Sequence, residues 1–104
     1  MSFAVRFSAE ADEDLARLFD FLLDQATTLA DLAQADAAIA AIQSAVWHQL
    51  ARTPYSFRKA GHSPTRRELI IPFGASGYVA LCEISGPASV LVLAIRHQRE
   101  EDYH

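Results

Sequence analysis

The sequence is poor in the residues that mark secreted, membrane-bound and metal-binding proteins. It has one cysteine, Cys82, among 104 residues; it therefore cannot form an internal disulfide, which favours a reducing cytoplasm. No apolar run approaches the ~20 residues that span a bilayer, and the N-terminus lacks the charged leader and apolar block of a signal peptide. No set of histidines, cysteines and carboxylates has the spacing of a known metal site. We therefore expect a cytoplasmic protein that needs no membrane, metal or cofactor.

The charge is small in total but uneven along the chain. The net charge is −4 at pH 7. Residues 1–40 carry two arginines and eight carboxylates, whereas residues 52–99 carry seven cationic side chains and two carboxylates. The basic part suits phosphate or an acidic partner, while the overall acidity argues against strong nonspecific binding to nucleic acid. We expect no sequence-specific nucleic-acid binding, and we expect the acidic run Glu10 to Asp14 to be a solvated helix start.

Apolar periodicity predicts one α+β domain over residues 1–104. Ser8 is a candidate helix N-cap, and the apolar spacing after it predicts an amphipathic helix to about Gln25. An alanine-rich helix follows from about Leu29 to Leu50, before Pro54. The order is β-αα-βββ, with a helical hairpin on one face of a small, mainly antiparallel sheet. The predicted strands are Phe3–Phe7, Arg67–Phe73, Tyr78–Ile84 and Ser89–His97, and Tyr55–Pro64 is predicted as a loop.

The last predicted strand is apolar on both faces. Strict alternation places Val90, Val92 and Ala94 on one face and Leu91, Leu93 and Ile95 on the other. Two helices cover only one face of such a sheet. The remaining apolar surface needs a cover, which is either the C-terminal tail of this chain or a partner chain.

Four segments together resemble the RelE/ParE family of toxins from bacterial type II toxin–antitoxin systems. Their order and spacing extend over nearly the whole chain, and the C-terminal segment is closer to the ParE-like branch. The segments are Phe7 to Leu15, Arg66 to Phe73, Gly77 to Leu81 and Val92 to Tyr103.

This resemblance implies a small toxin in a hetero-oligomer with a ParD-like antitoxin, which wraps an extended and helical segment around it. ParE-like members poison DNA gyrase and are not known as ribonucleases, whereas RelE-like members cleave messenger RNA in the ribosome. We therefore expect a gyrase inhibitor that is not itself an enzyme. The alternatives are a metal-independent, ribosome-dependent endoribonuclease and an inactive homologue that only binds its antitoxin.

The candidate toxic surface lies at the C-terminal end of the last strand, with Arg67 expected beside it. Its predicted residues are Arg67, Arg96, His97, Arg99 and Tyr103. If the chain is a ribonuclease, Arg67, His97, Arg99 and Tyr103 are the candidates for acid, base and phosphate-binding roles. A clear base is missing, because alternation points Glu68 away from Arg67. The lysine cluster of RelE-like enzymes is also missing, because Lys59 is the only lysine.

The same residues are equally consistent with purely structural roles. Arg96 and Arg99 are equally consistent with ion pairs in a solvated acidic tail, and His97 with a hydrogen bond to a strand-end carbonyl. Tyr103 suits packing on the sheet. Trp47 and Tyr55 are expected to pack in the core or at its edge, and Cys82 to be a buried, unreactive side chain. Leu15, Leu22 and Ile39 are expected to be shared between the core and antitoxin contact.

Overall fold

The computed structural model describes residues 2–100, and in this range two helices lie on one face of a five-stranded sheet. The elements are β1 Ala4–Phe7, α1 Ala9–Gln25, α2 Leu29–Ala45, a π-helical turn Val46–Leu50, a 3₁₀ turn Pro54–Ser56, β2 Arg58–Lys59, β3 Arg66–Phe73, β4 Ser76–Ser85 and β5 Ser89–His97. The strand order is β1-β5-β4-β3-β2, with β1 parallel to β5 and all other neighbours antiparallel. The expected α+β fold is confirmed.

Both helices begin at side-chain caps. The hydroxyl of Ser8 accepts the N–H of Ala11 at 3.0 Å, and that of Thr28 accepts the N–H of Asp31 at 3.0 Å. These bonds satisfy N–H groups that have no partner within the helix. The predicted second helix is α-helical to Ala45 and continues to Leu50 as a π-helical turn. Among residues 2–100, neither helix has the length and apolar character needed to cross a membrane.

The core lies between the helical hairpin and the sheet. Several of its largest fully buried side chains come from α2, the π-helical turn, β3 and β5: Ile42, Val46, Leu50, Leu69, Val90, Val92 and Ile95. Leu15, Leu22 and Ile39 are partly buried and pack against this cluster. Their apolar spacing thus serves the intramolecular core, as expected.

The predicted loop at Tyr55–Pro64 contains a short strand. Arg58 and Lys59 pair with Glu68 and Arg67 as the edge strand β2, so the predicted count of four strands is wrong. Two residues are too few to show an alternating pattern, so periodicity gave no signal here.

A bulge changes the predicted faces of β5. Leu81 of β4 pairs with Ala94. The next pair joins Cys82 to Val92, which leaves Leu93 as an extra residue in β5, a β-bulge. Strict alternation therefore fails after Leu93. The prediction that Ala94 shares a face with Val92 is wrong.

The bulge decides which way the end of β5 faces. Ile95 turns to the helix-covered face and is fully buried. His97 follows it onto the same face, opposite Tyr78, whereas Arg96 lies opposite Val79 on the other face. The consecutive residues Arg96 and His97 thus point to opposite sides of the sheet.

No helix of residues 2–100 covers the second face of the sheet, which we call the open face. Ile70, Leu81 and Leu91 are half-buried there. Salt bridges border them: Arg58 with Glu68 at 2.9 Å, and Arg66 with Glu83 at 3.4 Å. The expectation that the helices leave an apolar face uncovered is confirmed for these residues.

Candidate functional site at the end of the last strand

β5 extends beyond the end of its parallel partner β1. The last pair in the register joins Phe7 to Val92. Past this point, Ser8 replaces the strand: its N–H donates to the carbonyl of Val92 at 2.9 Å, and its hydroxyl donates to that of Leu93 at 3.1 Å. The bulge is therefore held by the residue that also caps α1.

Two carboxylates continue this replacement along the edge of β5. Asp14 of α1 accepts the N–H of Ile95 at 2.8 Å, and Glu100 accepts the N–H of His97 at 3.1 Å. Arg17 lies between them, 4.0 Å from Asp14 and 3.4 Å from Glu100. Asp14 is buried, so the expectation that the whole acidic run Glu10 to Asp14 is solvated is wrong for this residue. Backbone N–H groups left unpaired here would be costly.

Arg96 shapes the turn that follows β5. Its Nη1 donates to the carbonyls of His97 and Gln98 at 3.3 Å each and to that of Glu100 at 2.6 Å. Its Nη2 lies 4.0 Å from the carboxylate of Glu68 on the open face. A guanidinium that binds three carbonyls of one turn holds the backbone of residues 97–100 in one conformation.

Both ring nitrogens of His97 are bonded. Nδ1 accepts the N–H of Arg99 at 3.1 Å, and Nε2 lies 3.0 Å from the hydroxyl of Ser76. Because Arg99 donates to Nδ1, the neutral ring carries its proton on Nε2 and donates it to Ser76. The ring also meets Tyr78 edge-on, with centroids 5.4 Å apart. His97 is therefore fixed in orientation, as a residue at a binding surface needs to be.

A groove of about 440 Å³ separates α1 from this end of the sheet. Its walls are apolar with a charged rim, and Phe21 on its border is 60% exposed. Arg99 is exposed, and within residues 2–100 it forms no salt bridge. The lining residues are Arg17, Leu18, Phe21, Leu22, Tyr78, His97, Arg99 and Glu100. We call this the C-terminal groove.

Arg67 lies elsewhere, contrary to the expectation that it sits beside His97. His97 is opposite Tyr78, which is opposite Ile71, four positions beyond Arg67 on β3. This is a displacement of about 13 Å along the strand. Arg67 is buried with its guanidinium carbon 5.3 Å from the ring centre of Tyr55, and its Nε has no hydrogen-bond partner within residues 2–100. Tyr103 lies outside the described residues.

Other predicted roles divide between the core and the surface. Glu68 faces away from Arg67, as alternation predicted, and Cys82 is fully buried. Burial raises the pKa of the Cys82 thiol to about 11, so it is not poised as a nucleophile. Trp47 packs against Phe7 with ring centres 5.7 Å apart but stays half-exposed, so it belongs to the edge of the core.

Sequence reasoning missed Asp14, Arg17, Tyr78 and Glu100 as parts of this site. Asp14 carried one usable signal, because it lies three positions after Ala11 and four before Leu18 and hence on the buried face of α1. Glu100 carried no such sequence signal, because its role depends on where β1 ends relative to β5. Pairing between such distant segments is not encoded in local periodicity.

Comparison with known proteins identifies the family. Residues 5–102 match the family model described as ParE toxin of type II toxin–antitoxin system, parDE. The chain belongs to the RelE/ParE toxin family. Toxin RelE1 of Caulobacter vibrioides is 34% identical over 101 residues, covering 97% of this chain and 99% of the relative. The resemblance of the four sequence segments to RelE/ParE toxins is thus confirmed, and with it the assignment as a type II toxin.

Solved structures of RelE/ParE toxin systems share the fold. The chromosomal ParDE toxin–antitoxin system from P. aeruginosa superposes with a TM-score of 0.71 at 18% identity, covering 91% of this chain and 95% of that one. The RelBE2 toxin–antitoxin complex from Mycobacterium tuberculosis gives 0.64 at 17% identity, covering 96% and 95%. At such identities these similarities establish the fold alone.

Proposed function

We propose that this chain inhibits growth by binding DNA gyrase and stalling it on cleaved DNA, and that an antitoxin encoded beside it neutralises it in the cytoplasm. The match to a ParE toxin model supports gyrase as the target. The proposed contact surface is the turn that follows β5, with Arg96 shaping it and His97 and Arg99 facing the target. Tyr103 remains a proposed part of this surface.

The separation of Arg67 from His97 is the observation that carries the proposal. Metal-free RNA cleavage needs a base, an acid and cations around one phosphate. Arg67 and His97 lie about 13 Å apart along the sheet, and Arg67 is buried under Tyr55. Within residues 2–100, His97 and Arg99 lie together at the C-terminal groove, but Arg67 does not join them.

The open face is also a poor phosphate site. Its cations Arg58 and Arg66 are paired with Glu68 and Glu83. A phosphate there has to compete with carboxylates that already satisfy these cations and that repel it. This charge pairing favours a protein target over an RNA backbone.

Exposed apolar surface supports an antitoxin partner. Phe21, Leu29, Leu32 and Trp47 are exposed along the two helices and the π-helical turn, in addition to the half-buried open face. Apolar surface of this extent marks protein contact sites. A chain that wraps both helices and sheet would cover it, and the two solved neighbours are toxin–antitoxin systems.

A supercoiling assay tests the target. Purified toxin is added to gyrase and relaxed plasmid, and we expect inhibited supercoiling, accumulation of cleaved DNA and relief of both by antitoxin. Arg99→Ala should lose the inhibition, whereas Arg52→Ala, at another exposed arginine outside the C-terminal groove, should keep it. Gyrase that stays fully active at saturating toxin contradicts the proposal.

Ribosome-dependent cleavage of messenger RNA is the second candidate, favoured by the name of the relative Toxin RelE1. The same toxin preparation is added to a translating extract, and messages are mapped for cuts. Cut messages together with unaffected gyrase would establish this candidate instead. A folded chain that affects neither system but binds its antitoxin would identify an inactive homologue.

A further inference from the structure

Carboxylates take the place of a strand along the free edge of β5. Once β1 has ended, the N–H groups of Ile95 and His97 are bonded by Asp14 and Glu100. Asp14 belongs to α1, which fixes it firmly. Glu100 belongs to the segment that it holds, so its bond acts together with those of Arg96 to keep that segment closed.

Glu100 is attached to the protein through three of its groups. Its carboxylate Oε1 accepts from the N–H of His97 at 3.1 Å and from Arg17 at 3.4 Å. Its N–H donates to the carbonyl of His97 at 3.0 Å, and its own carbonyl accepts from Arg96 at 2.6 Å. The side chain and the backbone of Glu100 thus close residues 97–100 into one turn.

The Glu100 carboxylate makes two bonds, and the one to the N–H of His97 contributes more to holding the turn than the one to Arg17. The Arg17 pair is between side chains that are 43% and 36% exposed, and exposed pairs of this kind contribute little. The His97 N–H is part of the strand backbone, and within residues 2–100 its acceptor is the carboxylate of Glu100. A charged acceptor gives such a bond more than average strength.

This turn presents the proposed target-binding residues. Arg99 lies inside it, with its N–H held by the ring of His97, and both residues line the C-terminal groove. An open turn would release Arg99 from its fixed position relative to the imidazole, which Ser76 and Tyr78 hold in place. The cation and the ring would then be presented in many arrangements instead of one.

We propose that Glu100 is a positioning residue of the toxin, which closes the 97–100 turn so that Arg99 and His97 meet gyrase in a fixed geometry. This inference rests on the proposed function. Its side chain points to the edge of β5 and acts through its neighbours, so it is not itself a required contact with the target.

The test compares Glu100→Ala, Glu100→Gln and the control Glu13→Ala. Glutamine keeps an oxygen that accepts the His97 N–H, whereas alanine removes it, and both remove the negative charge. Glu13 is an exposed glutamate of α1, so its alanine variant repeats the charge loss outside the turn. For Glu100→Ala we expect about tenfold weaker gyrase inhibition and about tenfold faster amide exchange at His97, as suits one lost charge-assisted hydrogen bond. Glu13→Ala should stay near the wild type in both measurements, and Glu100→Gln, which keeps a neutral acceptor, should lie between the wild type and Glu100→Ala.

Two results of the gyrase assay overturn the proposal. Either Glu100→Ala inhibits gyrase as well as the wild type, or Glu100→Gln loses as much inhibition as Glu100→Ala, which would mean that the charge itself contacts the target. If the wild type does not inhibit gyrase, the proposed function fails, and hydrogen exchange alone then decides the positioning role. Unchanged exchange of the His97 amide in Glu100→Ala would overturn that role independently.

Discussion

The carboxylate of Asp14 accepts the backbone N–H of Ile95 at 2.8 Å, although 81 positions separate them in the sequence. Asp14 is only 2% exposed, so this bond is made away from water. It joins the second turn of α1 to β5, two residues before the end of that strand. The fold and the proposed target-binding surface therefore share this contact.

Asp14→Ala should destabilise the toxin by about 2–3 kcal/mol, because it leaves a buried N–H without a partner. Asp14→Asn keeps an acceptor oxygen and should therefore lose less stability than Asp14→Ala. Urea unfolding of the isolated toxin measures both, with Asp12→Ala as the control for an exposed carboxylate of the same turn. Equal stability of Asp14→Ala and Asp12→Ala would show that the bond contributes nothing.

Arg67→Met should leave the free energy of unfolding unchanged to within about 1 kcal/mol, because it replaces a buried cation by an apolar side chain of similar length. The lost contact with the Tyr55 ring is offset by the lost cost of burying an unpaired Nε. Gyrase inhibition should also persist, since Arg67 is far from the C-terminal groove. Denaturant unfolding and the supercoiling assay measure the two effects, and loss of inhibition in a stable variant would return Arg67 to the target-binding surface.

Cys82 should resist alkylation in the folded toxin. Burial raises its pKa from 9.0 to about 11, and it is fully inaccessible. At pH 8 we expect a thiol reagent to react only as fast as the protein unfolds, and fully in urea. Mass spectrometry measures the extent of alkylation, and rapid alkylation of the native protein would contradict this burial.

Ionisation of the same thiol should lower the free energy of unfolding at alkaline pH. Its folded pKa is raised, so its contribution is complete below about 9 and is lost as the pH rises toward about 11, because the unfolded thiol ionises first. Cys82→Ala removes this contribution. Urea unfolding from about pH 8 to about pH 11, which includes both pKa values, should therefore show a steeper decline in the wild type than in the variant.

The sequence predicted the helices and the central strands because these segments are long and periodic. Ser8 and Pro54 carried the local signals for the two ends of the hairpin. Strand β2 was not predicted because two residues are too few to show an alternating pattern. The end of β5 was assigned to the wrong faces because the bulge at Leu93 shifts the alternation by one residue.

The functional residues were harder to place than the fold. The sequence put Arg96, His97 and Arg99 at the end of a strand, and the structure brings them together there. It could not show that Arg67 lies four positions away along the sheet, because strand register depends on long-range pairing. Nor could it show that Arg96 binds turn carbonyls, since that follows from the backbone path of residues 97–100.

Gly77→Ala should destabilise the toxin by about 3 kcal/mol through steric overlap. A Cβ at Gly77 would lie 2.2 Å from the carbonyl oxygen of Ile71, which belongs to the neighbouring strand backbone and cannot move away alone. The carbonyl of Gly77 also accepts the N–H of Gln98 at 2.8 Å, so a shift here also disturbs the turn of residues 97–100, which we propose binds the target. We therefore expect gyrase inhibition to fall together with stability.

Gly74→Ala in the same hairpin is the matched control. Gly74 has a φ of +60° but no atom within 4 Å of its added Cβ, so only conformational strain opposes the substitution. That strain should cost about 1 kcal/mol and leave Gln98 in place. Thermal unfolding of both variants measures the difference, and a Gly77→Ala protein as stable as Gly74→Ala would mean that β3 and β4 do not approach each other as closely as this structure has them.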